Sequence, residues 1–340
     1  MMGLLSELAR EYRTLSIVGM AKNAGKTTAL NYLIEEAEDE GILIGVTSTG
    51  RDGETVDLVT NTEKPRVYLY EDTIVSVPTM LYDLSEAGLE ILEMSRYRTS
   101  IGELLLCRVA SSGYVQIAGP VATKDTKRMC ERMFSLGCEL ILIDGAIDRK
   151  SIAAPETSDA IILATGAVLS RDITRVVKET VHIVGLYSLP EVPENDPVRE
   201  LISENVRNGR ITLVKESEVE TLDLATGLGS GRRINEALDE ETDAIFLPGA
   251  LTLGVLADIS PEKFRRTRFI LRDPTKIFID DVNWRKLVKR GLSIEVLKNI
   301  KVACVTVNPF SPEGYSFDSE TLLKEMQKAL PDIPVVDVRK

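Results

Sequence analysis

Histidine is all but missing from this chain, with His182 the single imidazole. The four cysteines, Cys107, Cys130, Cys138 and Cys304, form no Cys-x-x-Cys pair. A Cys/His zinc site therefore has no support, and reduced, mostly buried thiols are expected. Positive charge is also short. Lys and Arg number 41 against 53 Asp and Glu, a net charge of -12, whose field repels nucleic acid and anionic membrane surfaces. No stretch approaches the roughly 20 apolar residues of a membrane-spanning helix. The opening residues, MMGLLSELAREYRTLS, are interrupted by Glu7, Arg10, Glu11 and Arg13, which does not fit a signal peptide. The glycine stands at position 3 rather than 2, which gives myristoylation no footing. A cytoplasmic protein that binds neither nucleic acid nor membrane is expected.

What is present is globular composition. Apolar residues make up 44% and charged residues 28% of 340, enough for a large interior and about two domains. Leu15 to Val18 reads as an apolar strand that breaks at Gly19. From Thr27 to about Asp39, Leu30, Leu33, Ile34 and Ala37 recur at helical spacing, with Gly41 placed to stop the helix. Ile42 to Val46 reads as the next strand. Leu140 to Ile143 and Ala160 to Ala164 are continuous apolar runs, the pattern of parallel strands buried on both faces. Further strands are expected near 66–70, 73–77, 102–109 and 113–118, and helices near 123–136 and 170–184. The segment SLPEVPENDP, Ser188 to Pro197, is the candidate linker. The predicted architecture is α/β, with a mostly parallel sheet in a nucleotide-binding domain over 1–190 and a second α/β domain over 197–340. In the latter, strands are expected at 210–214, 243–247, 268–271 and 301–307, and helices at 196–207, 250–258, 282–290 and 318–329.

The most informative string lies at the first strand-to-helix junction: Gly19-Met-Ala-Lys-Asn-Ala-Gly25-Lys26-Thr27-Thr28. A glycine-permitted turn that aims successive backbone N–H groups into one concavity, at the positive end of a helix, is how a P-loop holds phosphate. Gly19, Asn23, Ala24, Gly25, Lys26, Thr27 and Thr28 are the candidate nucleotide contacts. Lys26 is placed for the β and γ phosphates, the Thr27 hydroxyl for Mg²⁺ and Thr28 for the α phosphate. Five residues separate Gly19 from Gly25 where the usual pattern has four.

Asp144, closing the run Leu140-Ile141-Leu142-Ile143, is the candidate Walker B carboxylate, a residue that holds Mg²⁺ directly or through water. Asp52 and Glu54, in the loop after the second strand, are placed to orient a water or complete the metal shell; an ordinary Asp-Gly turn explains them equally well. Lys26, Asp144 and Asp52 are the candidate catalytic residues, and Thr27, Asp144 and Glu54 the candidate metal ligands. Arg51, Asp148 and Arg149 stand either as γ-phosphate sensors or as surface ion pairs. The tetrapeptide Asn-Lys-x-Asp is absent, as is Asp-x-x-Gly at Asp144, so ATP is favoured over GTP. Thr165 and Gly166 are candidates for the purine side. Three features are read as structural: the Met129, Cys130, Met133 and Phe134 stripe as core, Arg265-Arg266-Thr267-Arg268 as a solvated helix end, and His182 as a helix-surface residue.

The five-residue spacing resembles dethiobiotin synthetase and its class, which includes septum-site ATPases, nitrogenase iron protein and metal-chaperone GTPases. The signature lysine of some members would stand at Ala21, one step before Lys22. The strings SIVGMAKNAGKTTALNYLIEEA, GVTSTGRDGETVDLVT and LIDGAIDRKSIAAPETSDAIILATGAVLSR resemble the P-loop subunit of lysine 5,6-aminomutase reactivases. That resemblance implies an ATP- and Mg²⁺-dependent protein that, with a MutS-like ATPase subunit, restores an adenosylcobalamin-dependent aminomutase. Many members of the class dimerise across the nucleotide, so a homodimer is also compatible with it. Two alternatives stay open from the residues: a dethiobiotin-synthetase-like ligase acting on a small carboxylate, and a nucleotide-binding module without turnover.

Overall fold

The computed structural model describes residues 3–49, 67–145, 158–216, 218–224 and 229–339. The chain forms two compact units, one of residues 1–177 with 302–340 and the other of residues 178–301.

The first unit runs α1 (Leu4–Glu11), β1 (Thr14–Gly19), α2 (Lys26–Glu40), β2 (Ile44–Ser48), β3 (Val67–Leu69), β4 (Ile74–Pro78), α3 (Thr79–Tyr82), β5 (Gly88–Thr99), β6 (Gly102–Ser111), β7 (Gly113–Val115), α4 (Thr123–Ser135), β8 (Leu140–Asp144) and β9 (Ala160–Gly166). Helix α5 (Ile173–Tyr187) carries the chain into the second unit: α6 (Pro197–Asn208), β10 (Thr212–Lys215), β11 (Glu218–Thr221), α7 (Gly231–Ala237), β12 (Thr242–Leu247), β13 (Leu251–Thr252), α8 (Leu253–Leu256), α9 (Pro261–Arg266), β14 (Arg268–Leu271), β15 (Ile277–Phe278), α10 (Asp281–Lys289) and β16 (Ile294–Val296). The chain then returns to the first unit as β17 (Val302–Asn308), α11 (Ser319–Ala329) and β18 (Val335–Asp337).

A nine-stranded sheet in the order β18-β17-β9-β1-β8-β2-β4-β6-β5 organises the first unit. Every neighbouring pair from β18 to β4 is parallel, and the β4-β6-β5 end is antiparallel. The protein is therefore mixed α/β with a mostly parallel central sheet. Along β8 the side chains alternate between two cores. Leu140 and Leu142 pack with Leu30, Leu33 and Ile34 of α2 and Leu5 and Leu8 of α1. Ile141 and Ile143 pack on the opposite face with Met129, Cys130 and Met133 of α4. Helices on both faces explain why β8 and β9 read as unbroken apolar runs. The Met and Cys stripe on α4 is core, as expected, with Phe134 packed against it.

All four cysteines are free and buried. Burial pushes the Cys107 thiol up to about 11 and those of Cys130, Cys138 and Cys304 up to about 12, so none is a ready nucleophile at neutral pH.

The second unit holds a five-stranded sheet, β11-β10-β12-β14-β16. Its β12-β14-β16 half is parallel and its β11-β10-β12 half antiparallel. Again one strand feeds two cores: Ile245 and Leu247 face one, Ala244 and Phe246 the other. Asp196 and Asp280 cap α6 and α10 by accepting from the N–H groups of Val198 and Asn283.

Two sequence expectations about organisation are corrected. The segment 302–340, assigned to the second domain, lies in the first unit, because β17 pairs with β9 from Val302 to Asn308 and β18 pairs with β17. The proline-rich stretch 188–197 is not a boundary. Val192 is fully buried, its N–H donates to Val296 O at 2.9 Å, and the Val296 N–H donates to Pro190 O at 2.9 Å, so the prolines hold an extended edge inside the second unit.

Tertiary pairing also reshapes shorter stretches. Instead of one helix over 250–258, Leu251 and Thr252 pair with Ile277 and Phe278 before the short α8 begins. Arg268 is no solvated charge. It is half-buried, bridging Asp196 at 2.7 Å and Glu295 at 2.6 Å, and holds the Asp196 carboxyl below its ordinary range. His182 is half-buried, with Nε2 2.9 Å from Ile279 O and the ring near Trp284.

Ending the chain after Lys301 removes β17 and β18 and uncovers the β9 edge. We expect the truncated chain to lose cooperative thermal unfolding of the first unit, measured by calorimetry. An unchanged transition would contradict the placement of 302–340.

Candidate functional site

Parallel strands bring their carboxyl ends to one edge of a sheet, and ligands of open α/β sheets bind outside that edge. The five middle strands of the parallel set end there at Gly19, Asp144, Ser48, Gly166 and Asn308. Register fixes their levels, since Asp144 pairs with Ile17 on one side and Ser48 on the other, Gly19 with Ala164, and Asn308 with Gly166.

The turn from β1 to α2 is built tightly. Met20 N–H donates to Ala164 O at 2.9 Å, Ala24 N–H donates to Ala21 O at 3.2 Å, and Ala24 is only 2% exposed. Asn23 and Gly25 adopt φ of 64° and 100°, the left-handed region that favours Asn and Gly. A Cβ on Gly25 would also press on Asn308 Cβ at 3.0 Å, so glycine is required there twice over. Asn308 braces the turn from β17 by donating from Nδ2 to Asn23 O at 3.3 Å.

Helix α2 begins with no side-chain cap. The N–H groups of Gly25, Lys26, Thr27 and Thr28 are thus the four donors that a helix start leaves without intrahelical partners, at the end where the macrodipole is positive. Both hydroxyls, Thr27 and Thr28, sit half-buried on this first turn.

Lys26 meets Asp144 across the strand ends. Its Nζ donates to Asp144 Oδ1 at 2.6 Å and to the Gly145 carbonyl oxygen. The side chains are 13% and 16% exposed, so the pair is largely removed from water, where losing one partner is costly. Asp144 also anchors the end of β2: its carbonyl accepts from Thr49 N–H and from Ser48 Oγ, both at 3.1 Å. Thr49 Oγ1 is buried and has no hydrogen-bond partner among the described residues, an uncommon state for a hydroxyl.

The structure therefore gathers Gly19, Asn23, Ala24, Gly25, Lys26, Thr27, Thr28 and Asp144 at one edge. Thr165 is fully buried and Gly166 closes β9 beside Asn308. Asp52 and Glu54, with Arg51, Asp148 and Arg149, lie outside the described residues. Nothing in the sequence marks Asn308 or Gly119 as part of this edge, whereas Thr49 belongs to the loop after the second strand that is expected here. A Cβ on Gly119 would lie 1.7 Å from Ser48 O, so only glycine lets this segment close on the end of β2. The dipeptides Gly119-Pro120 and Asn308-Pro309 were turn signals in the sequence, but nothing there said what they approach.

Among the described residues no three His, Cys, Asp or Glu side chains cluster as a metal cage, and no helix is long and apolar enough to cross a membrane. A cavity of about 390 Å³ lined by Gly41, Ile42, Tyr70, Asp72 and Arg108 opens at the opposite, amino edge of β2 and β4, away from Lys26. Comparison of the chain with family models, characterised proteins and solved structures found no match.

Gly119→Ala is expected to lower stability by about 1–3 kcal/mol or more through overpacking against backbone, read from urea unfolding midpoints. A midpoint equal to that of the parent would mean that the segment relaxes freely and does not brace β2.

Proposed function

We propose that the turn between β1 and α2 is a P-loop and that the chain binds a nucleoside triphosphate, ATP, with Mg²⁺. One observation carries the reading: the Lys26 ammonium and the uncapped start of α2 converge with the Asp144 carboxylate at the carboxyl end of the central strands. The donor set suits the ligand. Gly19, Asn23, Ala24 and Gly25 shape the concavity, and the N–H groups of Gly25 to Thr28 point donors at polyphosphate oxygens. Thr28 serves the α phosphate and Lys26 the β and γ phosphates. Mg²⁺ asks for hard oxygen ligands and keeps several waters. The Thr27 hydroxyl and Asp144 carboxylate meet that demand without a cage of three carboxylates. Glu54 would join the metal shell and Asp52 the attacking water.

Bound ATP supplies a phosphoanhydride whose cleavage makes the cycle directional. The protein's own part is an exchange of partners. With polyphosphate bound, Lys26 would exchange the Asp144 carboxylate for phosphate oxygens, and the freed carboxylate, with the Thr27 hydroxyl, would be available to hold Mg²⁺. Asp144 also holds the end of β2 through Thr49 and Ser48, so its position couples the loop to the neighbouring strand end. A change of partner at one buried charge pair is the local event from which nucleotide switches are built.

We place the chain, by its resemblance to reactivase P-loop subunits, as an ATP-driven switch that restores a cobalamin-dependent aminomutase alongside a MutS-like ATPase. The net charge of -12 favours a protein partner over nucleic acid.

Calorimetric titration with ATP and Mg²⁺ should give saturable binding that Lys26→Ala weakens by about 100-fold, the scale of a charge-assisted hydrogen bond removed. Equal affinity in parent and variant would refute the assignment. Asp144→Asn should keep nucleotide affinity while abolishing its dependence on Mg²⁺; a variant as metal-dependent as the parent would remove Asp144 from the site. Affinity capture from a native extract should recover a cobalamin enzyme with ATP and not without it. Recovery independent of nucleotide would contradict the switch.

A further inference from the structure

Strand β5 ends the nine-stranded sheet, and among the described residues no strand pairs with its outer edge. At 12 residues it is the longest strand of the sheet. Such an edge exposes backbone donors and acceptors, which proteins ordinarily shorten, cover, charge or bulge. Strand β5 shifts register against β6 near Gly88, Ile91 and Met94. Its Leu89 carbonyl accepts from Tyr82 OH and its Tyr97 N–H donates to Ser95 Oγ, and among the described residues its other outward groups stay open to a neighbour. Here it also shows apolar surface: Ile91 is 49% exposed and Met94 61%. Leu89, Leu92 and Tyr97 pack instead against the two cores.

The charges along β5 are not scattered. Glu90 and Glu93 occupy its first half, Arg96 and Arg98 its second, with Met94 between them. Parallel addition of an identical strand would set like charges side by side. Antiparallel addition about a two-fold axis near Met94 sets the acidic half of each strand against the basic half of the other and brings the two Met94 side chains together. Opposite charges on facing strands stabilise and like charges oppose pairing.

Within the chain, Glu90 lies 3.7 Å from Arg108, Arg98 2.9 Å from Glu103, and Glu93 meets Arg132. These are exposed pairs of small individual worth, free to be shared with a neighbour. Arg96 has no ion-pair partner among the described residues.

We propose that β5 is a self-complementary dimerisation edge, where a second copy of this chain adds its own β5 antiparallel and extends the sheet across both molecules. Isologous pairing about a two-fold axis is the commonest way for a chain to close on itself. The interface is independent of nucleotide, so its failure and the failure of the proposed function are separable.

Light scattering coupled to size exclusion, over a dilution series of the full chain, tests it. The parent is expected to move between one and two chain masses with concentration. Reversing one half, as E90R/E93R or as R96E/R98E, should weaken the dimer by about tenfold or more, because each facing pair becomes repulsive. The combined variant E90R/E93R/R96E/R98E restores complementarity in mirror order and should recover the dimer, a rescue that a misfolded variant would not give. A parent that is monomeric at every concentration overturns the proposal and leaves the edge to a different strand. So does a dimer that neither half-reversal weakens, or a folded combined variant that stays monomeric.

Discussion

A cation and a carboxylate that have both lost most of their water must face each other, and Lys26 and Asp144 satisfy that constraint at 2.6 Å. The rest of the site depends on it. Lys26 is the first residue of α2 and Asp144 the last of β8, so the ion pair ties the start of the helix to the end of a strand that is distant in sequence. Strand side chains alternate faces with period two. A shift of β8 by one residue against β1 would carry the carboxylate to the other face and leave the ammonium alone.

That precision is produced by the sheet rather than by the loop. The parallel pairs from β17 to β2 hold their carboxyl ends level, and the α1/α2 and α4 layers on opposite faces keep β8 buried on both sides. The second unit is inserted between β9 and β17. The chain then has to return to complete the sheet, and Asn308 arrives with that return, bracing Asn23 and crowding Gly25 from β17. A feature of the first 30 residues thus depends on the last 40 or so.

What the sequence made legible were features whose cause is local. The strand, glycine turn, amphipathic helix and Gly41 stop of β1 to α2 announce themselves by spacing, as do the apolar runs of β8 and β9. Lys26 was readable because it opens the helix after the glycine turn, and Asp144 because it closes an apolar run. Illegible were features that depend on distant partners. Gly88–Thr99, GLEILEMSRYRT, is rich in residues that also suit a helix, and only pairing with β6 makes it a strand. The prolines at 190, 193 and 197 look like a linker until Val296 pairs beside them. Gly119 and Asn308 matter through what they touch, Ser48 and the β1–α2 turn, and no local pattern encodes that contact.

In the proposed function the N–H groups from Gly25 to Thr28 and the Lys26 ammonium act together on phosphate. Amide hydrogen exchange, followed with and without ATP and Mg²⁺, addresses those N–H groups directly. Exchange is expected to slow over 19–28 and at the ends of β8 and β2, with the second unit unchanged. Exchange at 19–28 that is the same in both states, under conditions where nucleotide is bound, would place the ligand elsewhere and contradict the proposed function.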